Sequence, residues 1–484
     1  MANTRHRGIA KMGIIQAVKR WFNMIFKNQA EDDFKVESAN NPAMDALISR
    51  CANIYLGNPE WIDLKDGIRT INFAKTICSE TARLAMLATS IKIDGSARAT
   101  WLQQQIDAVY YKLRQWVEYG CAYGTIFLKP NGKSFDVFTP QDVLLIDYDN
   151  TGISGIIFRD SYTAGKKVYT RLEYHRFTTT HTEDGRELQP YIISNKTYVS
   201  KSPNSIGDPI PIKETRWADL LEETPPILKA NGERLDAPMF GMFRTPQANN
   251  IDITTPLGMP IFAEAIEESK DLDIAYSRNA GEIFDSKKLV LIDDRIMAES
   301  GTKIGAEKDV KLPEYVKNVF GQDASTFYQE INPTLNTDTR LAGLNAIVSQ
   351  LGYKCGFSSG YFVFDQKTGM VTATQVEADD RRTIQLIKDV RDNLESCLND
   401  AIYAMSVYAD LYGLAPAGAY EVVYDFGDIT YNREEDRMRW WQYVNAGKAP
   451  AWKYFVKFEG MSEEEARAMV DEAKPKETGL FGEE

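Results

Sequence analysis

The feature that most constrains the fold is a long helical pattern between residues 374 and 412. Apolar side chains recur there at helical spacing, at Ile387, Val390, Leu394, Leu398, Ile402, Met405 and Tyr412. Thr374 and Glu377 form a capping-box pattern that predicts the start of the helix. At 1.5 Å per residue the helix is on the order of 55–60 Å long. Together with a shorter stripe at 341–351, it predicts that neighbouring subunits cover these apolar faces.

Residues 121–200 carry a different pattern, made of short β-branched and aromatic runs. The runs are TIFLK, FDVFT, VLLIDYD, GIIFRD, KVYTRLEYHRF and YIISNKTYV. Turn signals separate them, among them Asn131-Gly132 and Ala164-Gly165. The runs predict an antiparallel meander, and with the helical pattern of residues 40–120 they place the chain in the α+β class. Residues 201–256 are rich in proline and polar groups and are predicted to be connecting loops.

Two more helices are predicted on either side of a small mixed region. Residues 258–284 read GMPIFAEAIEESKDLDIAYSRNAGEIF, with Pro260 suited to a first helical turn. Residues 337–352 carry the second helix, and the strand-like runs KLVLIDD and FYQEI lie between the two. The first helix has an acidic face made of Glu264, Glu267, Glu268 and Asp271.

The two ends of the chain differ from its middle. Residues 1–35 form a basic arm whose stretch GIIQAVKRWFNMIF is amphipathic and too short to span a membrane. This stretch docks against a partner or against its own fold, or it lies on a membrane surface. Near the other end, YEVVYDFG (420–427) predicts a strand, Asn445-Ala446-Gly447 a helix break, and residues 461–466 a helix start.

Charge and cysteine usage exclude several classes of protein. The net charge is -13, which argues against a protein that grips DNA but not against one that lets DNA pass. The cysteines are far apart and form no C-x-x-C pair, which argues against a zinc site and a redox motif. They are therefore predicted to be buried small hydrophobes, at Cys51, Cys78, Cys121, Cys355 and Cys397.

No catalytic, cofactor-binding or metal-binding residue is predicted. Gly132-Lys133-Ser134 resembles the end of a phosphate-binding loop, but Phe127 stands where that motif needs glycine, so a hairpin turn is favoured. LVLIDD and VLLIDYD resemble the strand whose terminal aspartate holds the magnesium ion in ATPases. Without a phosphate-binding loop, those aspartates have no bound nucleotide to act with. His175 and His181 lack ligands at metal-site spacing. Asp379-Asp380 with Arg381-Arg382 reads as a solvated or inter-subunit charge cluster rather than a catalytic dyad.

Four stretches of the sequence resemble portal proteins of tailed bacteriophages, in the branch found in long-tailed phages of Gram-positive hosts. They are PLGMPIFAEAIEESKDLDIAYSRNAGEI (256–283), FYQEINPTLNTDTRLAGLNAIVSQLGYKCGFSSGYFVFD (327–365), KTGMVTATQVEADDRRT (367–383) and NAGKAPAWKYFVKFEGMSEEEA (445–466). The resemblance covers most of residues 40–470 and is weakest over 201–256. The order of the elements is also similar to that of the family.

The resemblance implies a division of the chain into the parts of a portal subunit. These are a basic N-terminal arm (1–35), a wing with helices and an antiparallel sheet (36–257 and 373–440), two stem helices (258–284 and 337–352), a small α/β clip between them (285–336), a tunnel loop (353–372), and a helical crown with a mobile tail (441–484).

The resemblance also implies a function and partners. The chain would form a ring, usually of twelve subunits, at one capsid vertex of the virion, assembled in the host cytoplasm. Double-stranded DNA would pass through its channel during packaging and ejection. The other partners would be the packaging ATPase (terminase), the major capsid protein, a scaffolding protein and a head-completion adaptor. No membrane, cofactor or enzymatic activity is expected.

The candidate site residues fall into two groups. The tunnel loop would face the DNA with Lys354, Ser358, Ser359 and Lys367, while Gly356 and Gly360 permit it to bend. A packed connection that holds two helices apart is the alternative for this loop. The acidic face defined above would line a channel wall that repels phosphate, and a solvated helix face is its alternative.

Two other functions compete with the portal interpretation. The first is a nucleotide-dependent packaging motor subunit, which the missing phosphate loop disfavours. The second is another head–tail adaptor protein, although adaptors are usually shorter and lack two helices with an insertion between them.

Overall fold

A computed structural model gives the fold. It describes residues 25–149, 152–181, 185–202, 205–285, 289–293, 316–319, 328–331, 337–364, 381–427, 433–446, 448–459 and 461–472. The chain divides into two compact units, Met1–Asp425 and Phe426–Glu484, so the second unit begins before the expected crown boundary at residue 441. Helices and sheets are both present, which confirms the α+β class.

The described helices of the larger unit begin and end at recognisable signals. The helices are α1 (25–34), α2 (Pro42–Tyr55), α3 (Phe73–Ala85), α4 (Ala97–Tyr123), α5 (Ile266–Asp285), α6 (Thr337–Lys354) and α7 (Arg381–Tyr412). The side chain of Asn41 caps α2 by accepting a hydrogen bond from the Ala43 amide at 2.9 Å. The Ser96 hydroxyl caps α4, and Gly124 ends it with a φ of +80°. The expected start of α7 at Thr374 lies outside the described residues.

The described strands form five sheets. The strands are β1 (Ser90–Gly95), β2 (Thr125–Pro130), β3 (Phe135–Phe138), β4 (Val143–Asp149), β5 (Gly152–Ala164), β6 (Lys167–Phe177), β7 (Thr180–His181), β8 (Glu187–Leu188), β9 (Tyr191–Ser200), β10 (Asp208–Pro209), β11 (Gly241–Arg244), β12 (Leu289–Asp293), β13 (Val316–Val319), β14 (Tyr328–Ile331) and β15 (Tyr420–Asp425). The sheet orders are β10-β9-β6-β5-β4, β11-β2-β3, β13-β12-β14, β1-β15 and β7-β8.

The predicted meander is confirmed for β4, β5, β6 and β9, which pair antiparallel within one sheet. The prediction of loops over 201–256 is wrong at β11, which pairs with β2. A Cβ at Gly241 would lie 2.0 Å from the Cys397 carbonyl oxygen of α7. Glycine therefore lets β11 lie directly against that helix, a contact that the local sequence does not signal.

The apolar stripe of α7 is covered within its own chain. Its members Ile387, Val390, Leu394, Leu398, Ile402 and Met405 are 0–2% exposed. The helix packs against β2, β11, α3 and α4. Leu344, Val348 and Leu351 of α6 are buried as well. The expectation that neighbouring subunits must cover these stripes is therefore wrong, because tertiary packing already does so.

The start of α5 differs from the prediction. Residues 258–262 are not α-helical, and α5 begins at Ile266 after a short 3-10 turn. The amide of Ile261 donates to the carbonyl of Cys121 at 2.9 Å, and the Thr245 hydroxyl donates to that of Met259 at 2.5 Å. These contacts hold the segment against the end of α4, so Pro260 lies before the helix rather than in its first turn.

The part of the N-terminal arm that the structure describes belongs to the larger unit. Phe26 of α1 is 2% exposed and packs with Leu144, Ile157 and Leu172 of the five-stranded sheet. Of the alternatives for the amphipathic stretch, docking on its own fold is therefore confirmed at its end, residues 25–26. Residues 1–24 lie outside the described residues. No helix in the described ranges is long and apolar enough to cross a membrane.

The smaller unit is helical where it is described, with α8 (Arg433–Asn445), α9 (Ala451–Glu459) and α10 (Glu463–Glu472). The predicted break after Asn445 is confirmed. The Ser462 hydroxyl accepts a hydrogen bond from the Glu465 amide at 3.2 Å, and the Glu465 carboxylate accepts one from the Ser462 amide at 3.1 Å. This capping box confirms the predicted helix start. The tail from residue 473 lies outside the described residues.

Candidate functional site: the paired helices α5 and α6

Helices α5 and α6 lie antiparallel and are joined by ion pairs at two levels. Lys354 Nζ lies 2.6 Å from Glu268 Oε1, and Arg340 pairs with Glu282. Fourteen residues separate the two partners on each helix, so the pairs hold the helices in register over about 21 Å. The sheet β13-β12-β14 lies between the two helices in the chain. The two helices therefore form a braced hairpin that carries a small inserted sheet.

The other side of α5 is fixed to the larger unit through residues 58–72. The Asp273 carboxylate accepts hydrogen bonds from Trp61 Nε1 and from the Ile71 amide, each at 2.9 Å. The Ser277 hydroxyl accepts from the Arg69 amide at 3.0 Å. Burial raises the pKa of Asp273, and these donors oppose the rise. Sequence reasoning missed Asp273 because it lies off the acidic face.

The acidic face of α5 is partly neutralised. Glu267 pairs with Arg50 at 3.3 Å, and Glu268 is half-buried in its pair with Lys354. Glu264 was predicted to lie on this helix face but lies in the 3-10 turn before α5, where its exposed carboxylate accepts from Asn250 Nδ2 at 3.3 Å. Asp271 is exposed and has no ion-pair partner among the described residues. Three of the four carboxylates therefore remain open to solvent, which fits both a channel wall and a solvated face.

The first residues after α6 form the cap of that helix. Gly356 has a φ of +94°, its amide donates to the Tyr353 carbonyl at 3.1 Å, and the Phe357 amide donates to the Gly352 carbonyl at 3.0 Å. These two bonds form a Schellman motif, which requires the left-handed backbone that glycine adopts readily. The glycine that was expected to allow bending therefore ends α6.

The next residues pack against α7 and α3. Ser358 is buried, and its amide donates to Thr383 Oγ1 at 2.9 Å. Ser359 is exposed, with its hydroxyl 3.2 Å from that of Ser349. The Tyr361 hydroxyl donates to Glu80 Oε1 at 2.6 Å. Ser358 and Tyr361 thus hold this part of the chain against α7 and α3.

The four residues expected to face DNA in the tunnel loop lie in different environments. Lys354 is held by Glu268, and its ammonium also donates to the Glu264 carbonyl at 3.2 Å. Ser358 is buried, Ser359 faces solvent, and Lys367 lies outside the described residues. The role of these residues in DNA passage stays a prediction.

The Gly132-Lys133-Ser134 sequence forms the turn of the β2–β3 hairpin, as predicted. The Asn131 side chain accepts from the amides of Lys133 and Ser134, at 3.1 and 2.8 Å, and Gly132 has a φ of +83°. A phosphate-binding loop leads into a helix, whereas this turn leads into β3. The backbone amides here serve the turn and do not wrap a phosphate.

A buried group of charged residues lies between the five-stranded sheet and β2, and sequence reasoning missed it. Glu173 Oε2 lies 2.6 Å from Lys129 Nζ and 2.9 Å from Arg171 Nη2, and Glu173 Oε1 lies 3.2 Å from His175 Nε2. Burial opposes ionisation of Glu173, but the two cations and His175 hold its pKa well below its usual range. The only sequence signal for this group was the alternation along β6, which places Arg171, Glu173 and His175 on one face of the strand.

The predicted burial of the cysteines is confirmed, since all five are buried free thiols. Burial raises the pKa of each of them, as for Cys51, whose pKa rises to about 12. Across the described residues, no group of three or more His, Cys, Asp and Glu side chains is arranged to hold a metal ion.

A scan of the sequence against protein-family models gives no match, and a search of the curated proteins gives no significant match.

Proposed function

We propose that this chain is the subunit of a phage portal ring, which forms the DNA channel at the unique capsid vertex. The braced hairpin of α5 and α6 carries the proposal. Helices that must support a channel wall need a fixed register, and the pairs Glu268–Lys354 and Glu282–Arg340 provide it at two levels.

The order of the parts supports the same proposal. A sheet-bearing block leads through α5 into a small three-stranded sheet, back through α6, and then into α7, which is buried in the first block. This order is similar to the wing, stem, clip, stem and wing of portal proteins. The terminase, capsid, scaffolding and adaptor partners named above follow from the proposal alone.

The solvent-facing carboxylates Glu264, Glu267 and Asp271 agree with a passage for DNA. Negative side chains on a channel wall repel phosphate and keep a moving polyanion from adhering. The overall charge of -13 acts in the same direction.

Mass photometry and negative-stain imaging of the purified chain test the proposal. We expect particles of about twelve times the 54.7 kDa chain mass, with an axial hole. Monomers over a wide concentration range, or compact particles without a hole, contradict it. The variant Lys354→Glu should reduce the fraction of rings, and the exchange Lys354→Glu with Glu268→Lys should restore it.

The motor-subunit alternative makes a different prediction in an ATPase assay. The chain should hydrolyse no ATP, because its Gly132-Lys133-Ser134 sequence forms a hairpin turn. Turnover that survives purification and is lost in Lys133→Ala would favour the motor.

A further inference from the structure

A cavity of about 350 Å³ opens at the buried charged residues described above. The β2–β3 turn, the segment around Trp217, and Tyr408 of α7 surround it. Lys129 and Arg171 line the cavity and are each at most 2% exposed, while Arg216 lies at its rim.

The carboxylates of this group already have their partners. Glu173 lies within 3.2 Å of Lys129, Arg171 and His175. Both Asp160 oxygens accept from Arg216 Nη2, at 3.0 and 3.1 Å, and Trp217 Nε1 donates to Oδ2 at 3.0 Å. Their acceptor capacity is therefore largely used.

The cations, in contrast, keep unused donors. Arg171 Nε is buried and has no hydrogen-bond partner among the described residues. The Lys129 ammonium has three donors, of which one bonds to Glu173. The Arg216 guanidinium bonds only through Nη2 in the part of the chain that is described.

The formal charges of the cavity lining balance, but its hydrogen bonds do not. Four cations and four carboxylates line it, namely Lys129, Lys133, Arg171 and Arg216 with Asp136, Asp160, Glu173 and Asp219. Burial lowers the pKa of His175, so its imidazole is neutral at pH 7.5. A buried donor without an acceptor is costly, as at Arg171 Nε, and an oxyanion would supply the acceptor.

We propose that this cavity binds a small phosphate-class oxyanion through Lys129, Arg171 and Arg216. Guanidinium and ammonium groups form charge-assisted hydrogen bonds with phosphate oxygens. Lys133, Arg216, Asp136 and Asp219 lie at the more exposed positions of the lining, where water screens the charges of all four. The bound anion would tie the β2–β3 turn and the Trp217 segment to α7.

Calorimetric titration of the full chain with inorganic phosphate at pH 7.5 tests this proposal, with chloride and acetate titrations at matched ionic strength. We expect saturable binding of phosphate. Arg216→Gln should weaken it about fivefold, because one charged donor is lost. Asp219→Asn should strengthen it about twofold, because it removes a nearby negative charge.

Arg278→Gln is the matched control, since Arg278 is an exposed arginine of α5 and should leave the affinity unchanged. Absence of saturable binding overturns the proposal. Equal affinities for Arg216→Gln and Arg278→Gln, or acetate binding as strong as phosphate binding, overturn it as well. Circular dichroism of each variant establishes that the fold is intact before the titration.

Discussion

Lys354, the last residue of α6, forms a 2.6 Å ion pair with Glu268 in the first turn of α5. The contact fixes a residue that the sequence assigns to a DNA-facing loop. It also identifies Lys354 as a brace between two helices, and this role can be measured separately from any role in DNA passage.

A double-mutant cycle of Lys354→Met and Glu268→Gln tests the brace. We expect each variant to lower the free energy of unfolding and the coupling energy to be about 0.5–1 kcal/mol, since the pair is partly screened by water. Urea denaturation measures it. Lys270→Met is the control, because this half-exposed lysine of α5 forms no ion pair among the described residues. A coupling energy near zero contradicts the brace.

Gly356→Ala tests the helix cap. The backbone at Gly356 has a φ of +94°, which disfavours any residue with a Cβ, so we expect a loss of about 1–2 kcal/mol in the free energy of unfolding. Gly343→Ala is the matched control, because Gly343 lies inside α6 with open space around it and should gain about 0.5–1 kcal/mol. Equal effects of the two substitutions in chemical denaturation would show that Gly356 is not a cap.

Arg98→Met tests a contact between the start of α4 and the end of α7. The Arg98 guanidinium is buried and donates to the carbonyls of Ser406 at 2.6 Å and Pro416 at 2.7 Å, and it pairs with Asp410. Removing it leaves these acceptors without their donor, so we expect a loss of about 2–4 kcal/mol. Thermal denaturation measures the loss. Arg114→Met is the control. Arg114 is an exposed residue of α4, so its substitution should change the stability little.

The pH dependence of stability should change in His175→Gln. Burial lowers the pKa of His175, so the unfolded chain binds this proton at a higher pH than the folded chain does. Stability is therefore lost as the pH falls below about 6.5, with a slope of at most about 1.4 kcal/mol per pH unit. Urea denaturation between pH 5 and 7.5 should show a shallower slope in His175→Gln. The exposed His181→Gln should keep the original slope, and an unchanged slope in both variants would contradict this assignment.

Much of the local structure follows from the sequence because its causes are local. Helical spacing predicted α6 and α7, turn residues predicted the β2–β3 and β5–β6 hairpins, and Ser462 with Glu465 predicted the start of α10. The burial of the five cysteines also followed from their separation and from the absence of paired motifs.

The sequence did not determine which segments distant along the chain pack or pair with each other. The non-helical path of residues 258–262 is held by hydrogen bonds to Cys121 and Thr245, which lie more than ten residues away. The partner of β1 is β15, more than three hundred residues later in the chain. Such pairings depend on shape and on distant backbone groups, which local patterns do not encode.

The candidate site shows the same division. Sequence alone determined that Glu267, Glu268 and Asp271 lie on one helix and that glycines follow α6, but its placement of Glu264 on the same helix was wrong. Only the tertiary structure decided that Glu268 faces Lys354. It also assembled Lys129 with Glu173, because charges on separate strands meet only when the sheets pack. A residue's neighbours in space determine its chemistry, and those neighbours come from packing rather than from spacing along the chain.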